Sequence, residues 1–406
     1  MNPSHSDISV SKISESLTDA HIDVIVSGSI GAVESVRFIR CLRRLGAEVT
    51  PWLTAGGSQF ITPMALSWAA GRQAITEFQG HASHVDTHDA CVVAPASANF
   101  ISRMIHGRTD TPASAIVTSY LGAKKPVMIL PSMHDSLANA PAVNENLRKI
   151  ASWGVHLLNP RVEENKHKMA EPEVMADNIS HVINQSTRKH RGHAMITLGG
   201  TKAMLDDVRY LGNYSTGSLG TQIAEECYRR GIKTTVIVGT HKVKPRACTR
   251  LISAETHDEM MKSCHAILNG QIDTVVMCAA VLDFEPRARQ TGKMSSFDDP
   301  APIELVKTQK IVETLNPKPK CLITFKLESD LDENKALHIA KVYHERVGAD
   351  LVVLNRVQDV SETEHKAYLV PTKHPDQLTT HDSKAAIASH IASFIDKKHS
   401  KGMTQT

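Results

Sequence analysis

Aromatic side chains are scarce in this chain of 406 residues: phenylalanine, tryptophan and tyrosine together make up 4 %. A surface that stacks nucleic-acid bases needs them, so a nucleic-acid partner is not expected. A large excess of one charge is missing too. The formal net charge is +3, which favours neither a nucleic-acid groove nor a membrane-surface role. No apolar run is long enough to span a bilayer. The opening M-N-P-S-H-S-D-I-S-V lacks the basic stretch and apolar run of an export signal. There is no C-x-x-C pair. Cys41, Cys91, Cys227, Cys248, Cys264, Cys278 and Cys321 are scattered, several of them inside apolar runs, and read as reduced core thiols of a cytoplasmic protein.

What is present is a long chain of ordinary composition, with 22 % charged and 41 % apolar residues. That suits a globular protein too large for one core, so two domains are expected. Short apolar runs alternate with amphipathic stretches from His21 onward. I-D-V-I-V-S-G-S, Glu48 to Leu53, C-V-V-A-P-A-S, P-V-M-I-L-P and V-H-L-L-N-P read as strands, with helices over Ile30–Leu45, from Asn99 and over Ala142–Ser152. The basic, polar stretch S-T-R-K-H-R-G-H, from Ser186, reads as a linker. Alternation then restarts with M-I-T-L, T-T-V-I-V-G, T-V-V-M-C-A-A, C-L-I-T-F and L-V-V-L-N, and a last helix over Lys384–Phe394. The expected fold class is α/β, with two doubly wound, mainly parallel sheets covered by helices on both faces. The expected boundaries are a tail over 1–20, a domain over 21–185, a linker over 186–194, a domain over 195–396 and a loose tail over 397–406. The polar segment Arg287–Pro302 reads as a mobile loop.

Two stretches look built to bring backbone amides against phosphate. In the second half, M-I-T-L-G-G-T ends at Thr201 and D-V-R-Y-L-G-N-Y-S-T-G-S-L-G runs from Asp207 to Gly220. A strand, a glycine turn, then small hydroxyls and glycines opening a helix allow close approach and favour negative charge. Ser215 and Thr216 add donors, and Asn213 stands where an amide can polarise a reacting carboxyl or carbonyl. The spacing is neither a Walker loop nor G-x-G-x-x-G. In the first half, S-G-S-I-G-A-V-E-S, Ser27 to Ser35, is a strand–turn–helix cradle of the same kind.

The second-half motif resembles the nucleotide-binding start of the phosphopantothenate–cysteine ligase family. C-A-A-V-L-D-F, Cys278 to Phe284, Lys293 in Q-T-G-K-M-S, and T-F-K-L-E, Thr324 to Glu328, follow in that family's order. The resemblance implies nucleotide contacts from Gly199, Gly200, Thr201, Ser215, Thr216, Gly217, Ala279, Ala280, Asp283, Lys293, Lys310, Phe325 and Lys326. Asn213 and Lys293 would be catalytic, and Asp283 would help place Mg2+. A carboxylate is a poor acyl donor; attack on a nucleotide's α-phosphate makes it a mixed anhydride, and cation charge offsets the phosphates. Two departures bear on the nucleotide, for which CTP is the first candidate and ATP the second. Ser218 stands where many members carry lysine, and K-T-Q-K-I, Lys307 to Ile311, resembles an archaeal form.

The first half resembles flavin-dependent cysteine decarboxylases through S-G-S-I-G-A-V-E-S, L-T-A-G-G-S-Q-F-I-T-P, Leu53 to Pro63, and A-P-A-S-A-N, Ala94 to Asn99. The resemblance implies FMN contacts from Gly28, Ser29, Ile30, Thr54, Ser58, Ala96, Ser97, Ala98 and Asn99. It places His81 as the base that takes a thiol proton. If that segment is helical, His81, His84 and His88 share a face, which leaves a metal site or a solvated face as alternatives. The family's P-A-M-N appears as P-S-M-H, Pro131 to His134, and R-V-E-E-N-K-H-K-M-A, Arg161 to Ala170, replaces its reactive-cysteine loop. Met133, His134, Lys166 and Lys168 are therefore the candidate substrate residues, as in archaeal-like bifunctional members. G-R-T-D-T-P-A-S, Gly107 to Ser114, departs from a second flavin-site stretch.

Together the resemblances imply a bifunctional phosphopantothenoylcysteine decarboxylase and phosphopantothenate–cysteine ligase acting on 4′-phosphopantothenate and cysteine. They also imply homo-oligomers, trimeric or dodecameric. The alternatives are a ligase whose flavin domain is vestigial or acts on another cysteine substrate, and a flavoprotein that only binds a partner.

Overall fold

The computed structural model describes residues 7–80, 82–164, 166–187, 192–268, 272–294, 302–360 and 365–401. The chain divides into two compact units, Met1–Lys189 and His190–Thr406.

In the first unit, five parallel strands form one sheet: β1 (His21–Val26), β2 (Glu48–Leu53), β3 (Ala90–Ala96), β4 (Val127–Pro131) and, past a two-residue β5 (Met133–His134), a short β6 (His156–Leu157). Their order is β2-β1-β3-β4-β6. β1 is buried on both faces, as a central parallel strand must be. Ile22, Val24 and Val26 face one core, with α1 (Ser35–Arg44), α2 (Pro63–Ala70) and Ile179 of a later helix. Ile25 faces the other, with α3 (Ala98–Ile105), α4 (Pro112–Gly122) and Ile150. After α5 (Asp135–Ala138) and α6 (Pro141–Ser152), β7 (Arg161–Glu163) and β8 (Lys166–Lys168) form an antiparallel hairpin, and β8 also pairs with β5. α7 (Pro172–Thr187) closes the unit. The segment before β1 is tied down: Leu17 is buried, its amide donates to Leu45 O at 2.8 Å, and Asn184 Nδ2 donates to Ser16 O at 2.7 Å.

The second unit is built on an eight-stranded sheet. Its strands are β9 (His193–Leu198), β12 (Lys233–Val238), β13 (Arg250–Ser253), β14 (Thr274–Met277), β17 (Cys321–Glu328), β18 (Leu351–Arg356), β19 (Ala367–Pro371) and β20 (Thr379–His381), in the order β13-β12-β9-β14-β17-β18-β19-β20. Six run parallel; β19 and β20 add antiparallel. α8 (Ser218–Arg229) and α12 (Lys384–Lys401) cover one face, α9 (His257–Leu268) and α11 (Glu333–Val347) the other. A short α10 (Ile311–Thr314) lies between β16 (Leu305–Lys307) and β17. The hairpins β10 (Lys202–Met204) with β11 (Tyr210–Gly212), and β15 (Phe284–Pro286) with β16, stand outside the sheet. The two parallel sheets with helices on both faces are the expected α/β fold class.

Three local expectations change. The helix read as ending at Phe394 runs on to Lys401, because Lys398 Nζ reaches Asp350 at 2.7 Å and His399 meets Thr274 Oγ1 at 3.0 Å. In the loop read as mobile over Arg287–Pro302, the part 287–294 is anchored, Arg287 N donating to Glu304 O and Gln290 N to Leu205 O, each at 2.9 Å, while 295–301 lie outside the described residues. The region of His84 and His88 is no α-helix. Ser83–Val85 is a single 3₁₀ turn, so a shared helical face for a metal does not form.

Candidate functional site

Each sheet reverses its strand order beside its central strand, and that is where open α/β sheets bind ligands. In the first unit the reversal lies between β1 and β3. Buried Ser27 knits the two strand ends together. Its Oγ donates to Pro95 O at 2.8 Å and accepts from Ser97 N at 2.8 Å. Ser29 caps the 3₁₀ turn Ile30–Glu34, accepting from Gly31 N, and Ser97 caps α3. Two helical N-termini thus open beside one another, with their free amides available to an anion.

A cavity of about 820 Å³ lies there. Of the sequence candidates, Gly28, Ser29, Ile30, Ser97, Ala98, Asn99, Met133, His134 and Lys168 line it. Thr54, Ser58 and Ala96 do not. Thr54 Oγ1 accepts from Gly57 N, Ser58 Oγ donates to Thr54 O, and Ala96 is buried in the core at the end of β3. Lys166 contributes backbone pairing to His134 across β5 and β8. His81 lies outside the described residues. Packing forces two of the glycines: a Cβ on Gly28 would stand 3.0 Å from Gly56 C, and one on Gly31 3.0 Å from Ser132 Oγ.

His134 Nδ1 accepts from Ser136 N, capping α5, so the neutral ring carries its proton on Nε2. Lys168 Nζ lies 3.0 Å from Glu164. Arg37 Nη2 grips both oxygens of Glu173 at 2.9 Å, and Arg161 contacts Glu171. Sequence reasoning missed Arg37, Glu164 and Glu171 as lining residues. Glu164 and Glu171 approach because the β7–β8 hairpin folds back onto β5, which no local pattern announces, whereas Arg37 stands on α1, four residues past the lining Val33.

In the second unit the reversal lies between β9 and β14. Gly199, Gly200 and Thr201 follow β9 directly. Gly200 N donates to Thr240 O at 2.8 Å, Ala280 N to Gly199 O at 2.8 Å, and Leu282 N to Thr201 Oγ1 at 2.8 Å. Asn213 Nδ2 donates to Ala280 O at 3.3 Å and Val281 O at 3.1 Å. The glycine turn, Asn213 and Ala279–Ala280 are therefore one constellation. Close approach leaves no room for side chains. A Cβ on Gly239 would lie 2.1 Å from Gly200 O, and one on Gly220 2.4 Å from Leu198 Cβ. Gly217, at φ 75°, opens α8; Ser215 Oγ accepts from Gly217 N and Thr216 Oγ1 from Ser218 N.

Asp283 and Lys310 form an ion pair, and Lys326 pairs with Glu328 at 3.4 Å. Phe325 and Lys326 lie on β17 itself, with Phe325 partly buried against the core. Lys293 is exposed on the anchored loop. Cys278, at the end of β14, has its thiol pushed up to about 12 by burial, so it is protonated at neutral pH and is no nucleophile.

The comparisons with known proteins decide the family. The family model described as "DNA/pantothenate metabolism flavoprotein C-terminal domain" matches residues 190–398, and the one described as "Flavoprotein" matches residues 10–184. The coenzyme A biosynthesis bifunctional protein CoaBC of Thermococcus kodakarensis is 34 % identical over 394 residues, spanning 95 % of this chain and 96 % of that protein. This chain belongs to the CoaBC family. The CoaBC of Methanocaldococcus jannaschii is 28 % identical over 392 residues, 95 % of each chain. The DNA/pantothenate metabolism flavoprotein structure from Streptococcus pneumoniae is 25 % identical, covering 51 % of this chain and 99 % of its own, with a TM-score of 0.46. Among the described residues, no helix is long and apolar enough to cross a membrane.

Proposed function

We propose that this CoaBC-family chain joins 4′-phosphopantothenate to cysteine at the switch point of its second unit and decarboxylates the product in the cavity of its first. The observation that carries this reading is the convergence of the family motifs: Gly28–Ile30, Ser97–Asn99 and Met133–His134 on one cavity, and Gly199–Thr201, Asn213 and Ala279–Ala280 on one sheet end.

For the ligation, the carboxylate of 4′-phosphopantothenate attacks the α-phosphorus of CTP and pyrophosphate leaves. The cysteine amine then attacks the acyl carbonyl and CMP leaves. Gly199 and Gly200 let the backbone approach closely, the Ser215 and Thr216 hydroxyls donate to the phosphates, and Lys293, Lys310 and Lys326 supply positive charge. Phe325 flanks the nucleotide. Mg2+ fits beside Asp283, since this ion uses one or two carboxylates together with substrate phosphates. Lys310 then hands its contact from Asp283 Oδ1 to a phosphate. Asn213 exchanges one of its two backbone acceptors for the acyl carbonyl.

For the decarboxylation, the cradle fits FMN. The Ser29-capped turn and the Ser97-capped helix would hold its phosphate, while Thr54, Ser58 and Ala96 support the turns without lining the cavity. FMN supplies a reversible two-electron sink, so loss of carbon dioxide carries no net redox change. His81 takes the thiol proton. His134 Nε2–H and Lys168 hold the substrate carboxylate, while Lys166 holds β8 against β5. A second reading, in which the flavin unit stops short of the final product or takes another cysteine substrate, is favoured by the β7–β8 hairpin standing in place of the reactive-cysteine loop. The exposed apolar residues Ile30, Val33 and Leu137 beside the cavity support burial against another copy in a cytoplasmic homo-oligomer.

One reaction containing 4′-phosphopantothenate, cysteine, CTP, Mg2+ and FMN tests the reading by product mass. The expected product is 4′-phosphopantetheine. Phosphopantothenoylcysteine alone supports the second reading, and neither product, with ATP also supplied, contradicts both.

A further inference from the structure

Asp206 is a fully buried carboxylate that the ligation chemistry does not use. Burial pushes its pKa up, but the amides of Arg209, Val208 and Met294 and the Arg209 guanidinium outweigh that and hold it well below the usual carboxylate range. The distances show how. Asp206 Oδ1 accepts from Val208 N at 2.7 Å and Arg209 N at 2.6 Å. Oδ2 accepts from Arg209 Nη1 at 2.6 Å and Met294 N at 3.1 Å. The first pair closes the turn between β10 and β11. Of the second pair, the Met294 bond reaches a segment 88 residues further on, and Arg209 Nη1 also donates to Met294 O at 3.3 Å.

Asp207 repeats the device from the next position. Its Oδ2 accepts from Gly292 N at 3.1 Å, its Oδ1 from Arg289 Nη2 at 2.7 Å, and its amide donates to Gly292 O at 3.3 Å. Lys293 therefore stands between two residues whose amides are gripped by adjacent carboxylates, while its own side chain is exposed. The same hairpin leads through β11 directly to Asn213. A turn that closes the Asn213 hairpin and clamps both neighbours of Lys293 fixes the spacing of those two groups.

We infer that Asp206, with Asp207, is a positioning residue that holds Lys293 in register with Asn213 for the nucleotide. This rests on the proposed role of Lys293 at the phosphates. Asp206→Asn is the selective variant. Its Oδ1 still accepts the two turn amides, while its NH2 cannot accept from Met294 or Arg209. Hydrogen exchange on the full chain reads the anchoring, and nucleotide KM against kcat reads the positioning.

The expected result is faster exchange confined to 287–294, by about tenfold or more for the loss of charge-assisted bonds, and a rise in nucleotide KM of similar size. Lys293→Ala should show the same KM rise, and the double variant little more than either alone. Unchanged exchange in Asp206→Asn overturns the anchoring. Faster exchange with unchanged KM overturns the positioning. A normal KM in Lys293→Ala overturns the role of Lys293 itself and leaves the anchoring to stand on exchange. If Asp206→Asn fails to fold, Asp207→Ala removes both acceptors, releasing Gly292 N and the Arg289 guanidinium from the same clamp, and takes its place in each comparison.

Discussion

The two units solve one problem in two ways. Both place a glycine turn at the end of their central strand, where the sheet reverses its order. In the first unit the turn opens into a cavity of about 820 Å³, whose far wall is a small antiparallel sheet. In the second it stays close-packed, with Gly200 sandwiched between the ends of β12 and β14 by direct backbone bonds. The glycines differ accordingly. The difference is one of degree: in the second unit a Cβ on Gly239 would lie 2.1 Å from Gly200 O and one on Gly199 2.5 Å from Thr240 O, whereas in the first one on Gly57 would lie 2.7 Å from Val26 O and one on Gly28 3.0 Å from Gly56 C. Tight packing makes a rigid platform for phosphates; looser packing leaves a hole for a planar ring.

The strongest challenge to that contrast is Gly239→Val. Its Cβ would start 2.1 Å from Gly200 O and 3.0 Å from Gly200 C, backbone that cannot swing aside, with Met260 Cε a further 3.3 Å contact. The expected loss is upward of about 3 kcal/mol, confined to the second unit. Calorimetry should show one transition fall and the other hold.

His134→Ala comes next. Removing the Nε2 donor should cut decarboxylation of supplied phosphopantothenoylcysteine by about 10- to 100-fold and leave ligation untouched. Product formation by mass checks both halves in one sample. A full rate would remove His134 from the substrate site.

Gly28→Ala should act more mildly than its counterpart. The added methyl meets Gly56 at 3.0 Å, so the two turns must part by tenths of an ångström, at about 1–2 kcal/mol. Retention of bound flavin, read by its visible absorbance, is the measurement. A loss as large as that of Gly239→Val would erase the distinction between the two packings.

The smallest effect is one of pH within the first unit. At the opposite end of β1, buried Asp23 accepts from Trp52 Nε1 at 2.8 Å, Tyr120 OH at 2.5 Å and His88 Nδ1 at 2.9 Å, and the His88 ring stacks on His21 at 3.5 Å. The hydrogen bond to Asp23 raises the His88 pKa. Its contribution to stability is complete below the unfolded value of about 6.5 and fades as pH rises through the folded one. His21 is shifted the other way, by burial and then by His88, so its contribution is complete above about 6.5 and fades on acidification. Stability from the pair should therefore peak near that value. Arg72, Glu48 and Asp86 also act on these rings and set the width of the peak. Melting of His88→Ala across pH should lose the alkaline decline and keep the acidic one.

The same comparison explains what the sequence disclosed. The apolar strands β1, β3, β9 and β12 announce themselves because a strand buried on both faces is a continuous apolar run. α2 and α4 escaped notice because they are apolar all round; α4 buries Ala113 through Val117 and shows no period. Its start was marked, by Thr111 and Ser114 capping each other ahead of Pro112, within a stretch read only as a departure from a flavin motif. α12 looked finished at Phe394 because D-K-K-H-S-K reads as a solvated tail, yet Asp350, at the start of β18, holds Lys398. The site motifs could be read because each is local. Asp206 with Met294, and Asp23 with His88, could not, since 88 and 65 residues separate the partners.

The central claim is that one chain carries two separable reactions. The most direct test is the product mass from two single-site variants. Asn213→Ala, given phosphopantothenoylcysteine and FMN, should still yield 4′-phosphopantetheine. His134→Ala, given 4′-phosphopantothenate, cysteine, CTP and Mg2+, should accumulate phosphopantothenoylcysteine. Loss of both reactions in either variant, with the chain still folded, would contradict the assignment of one reaction to each unit.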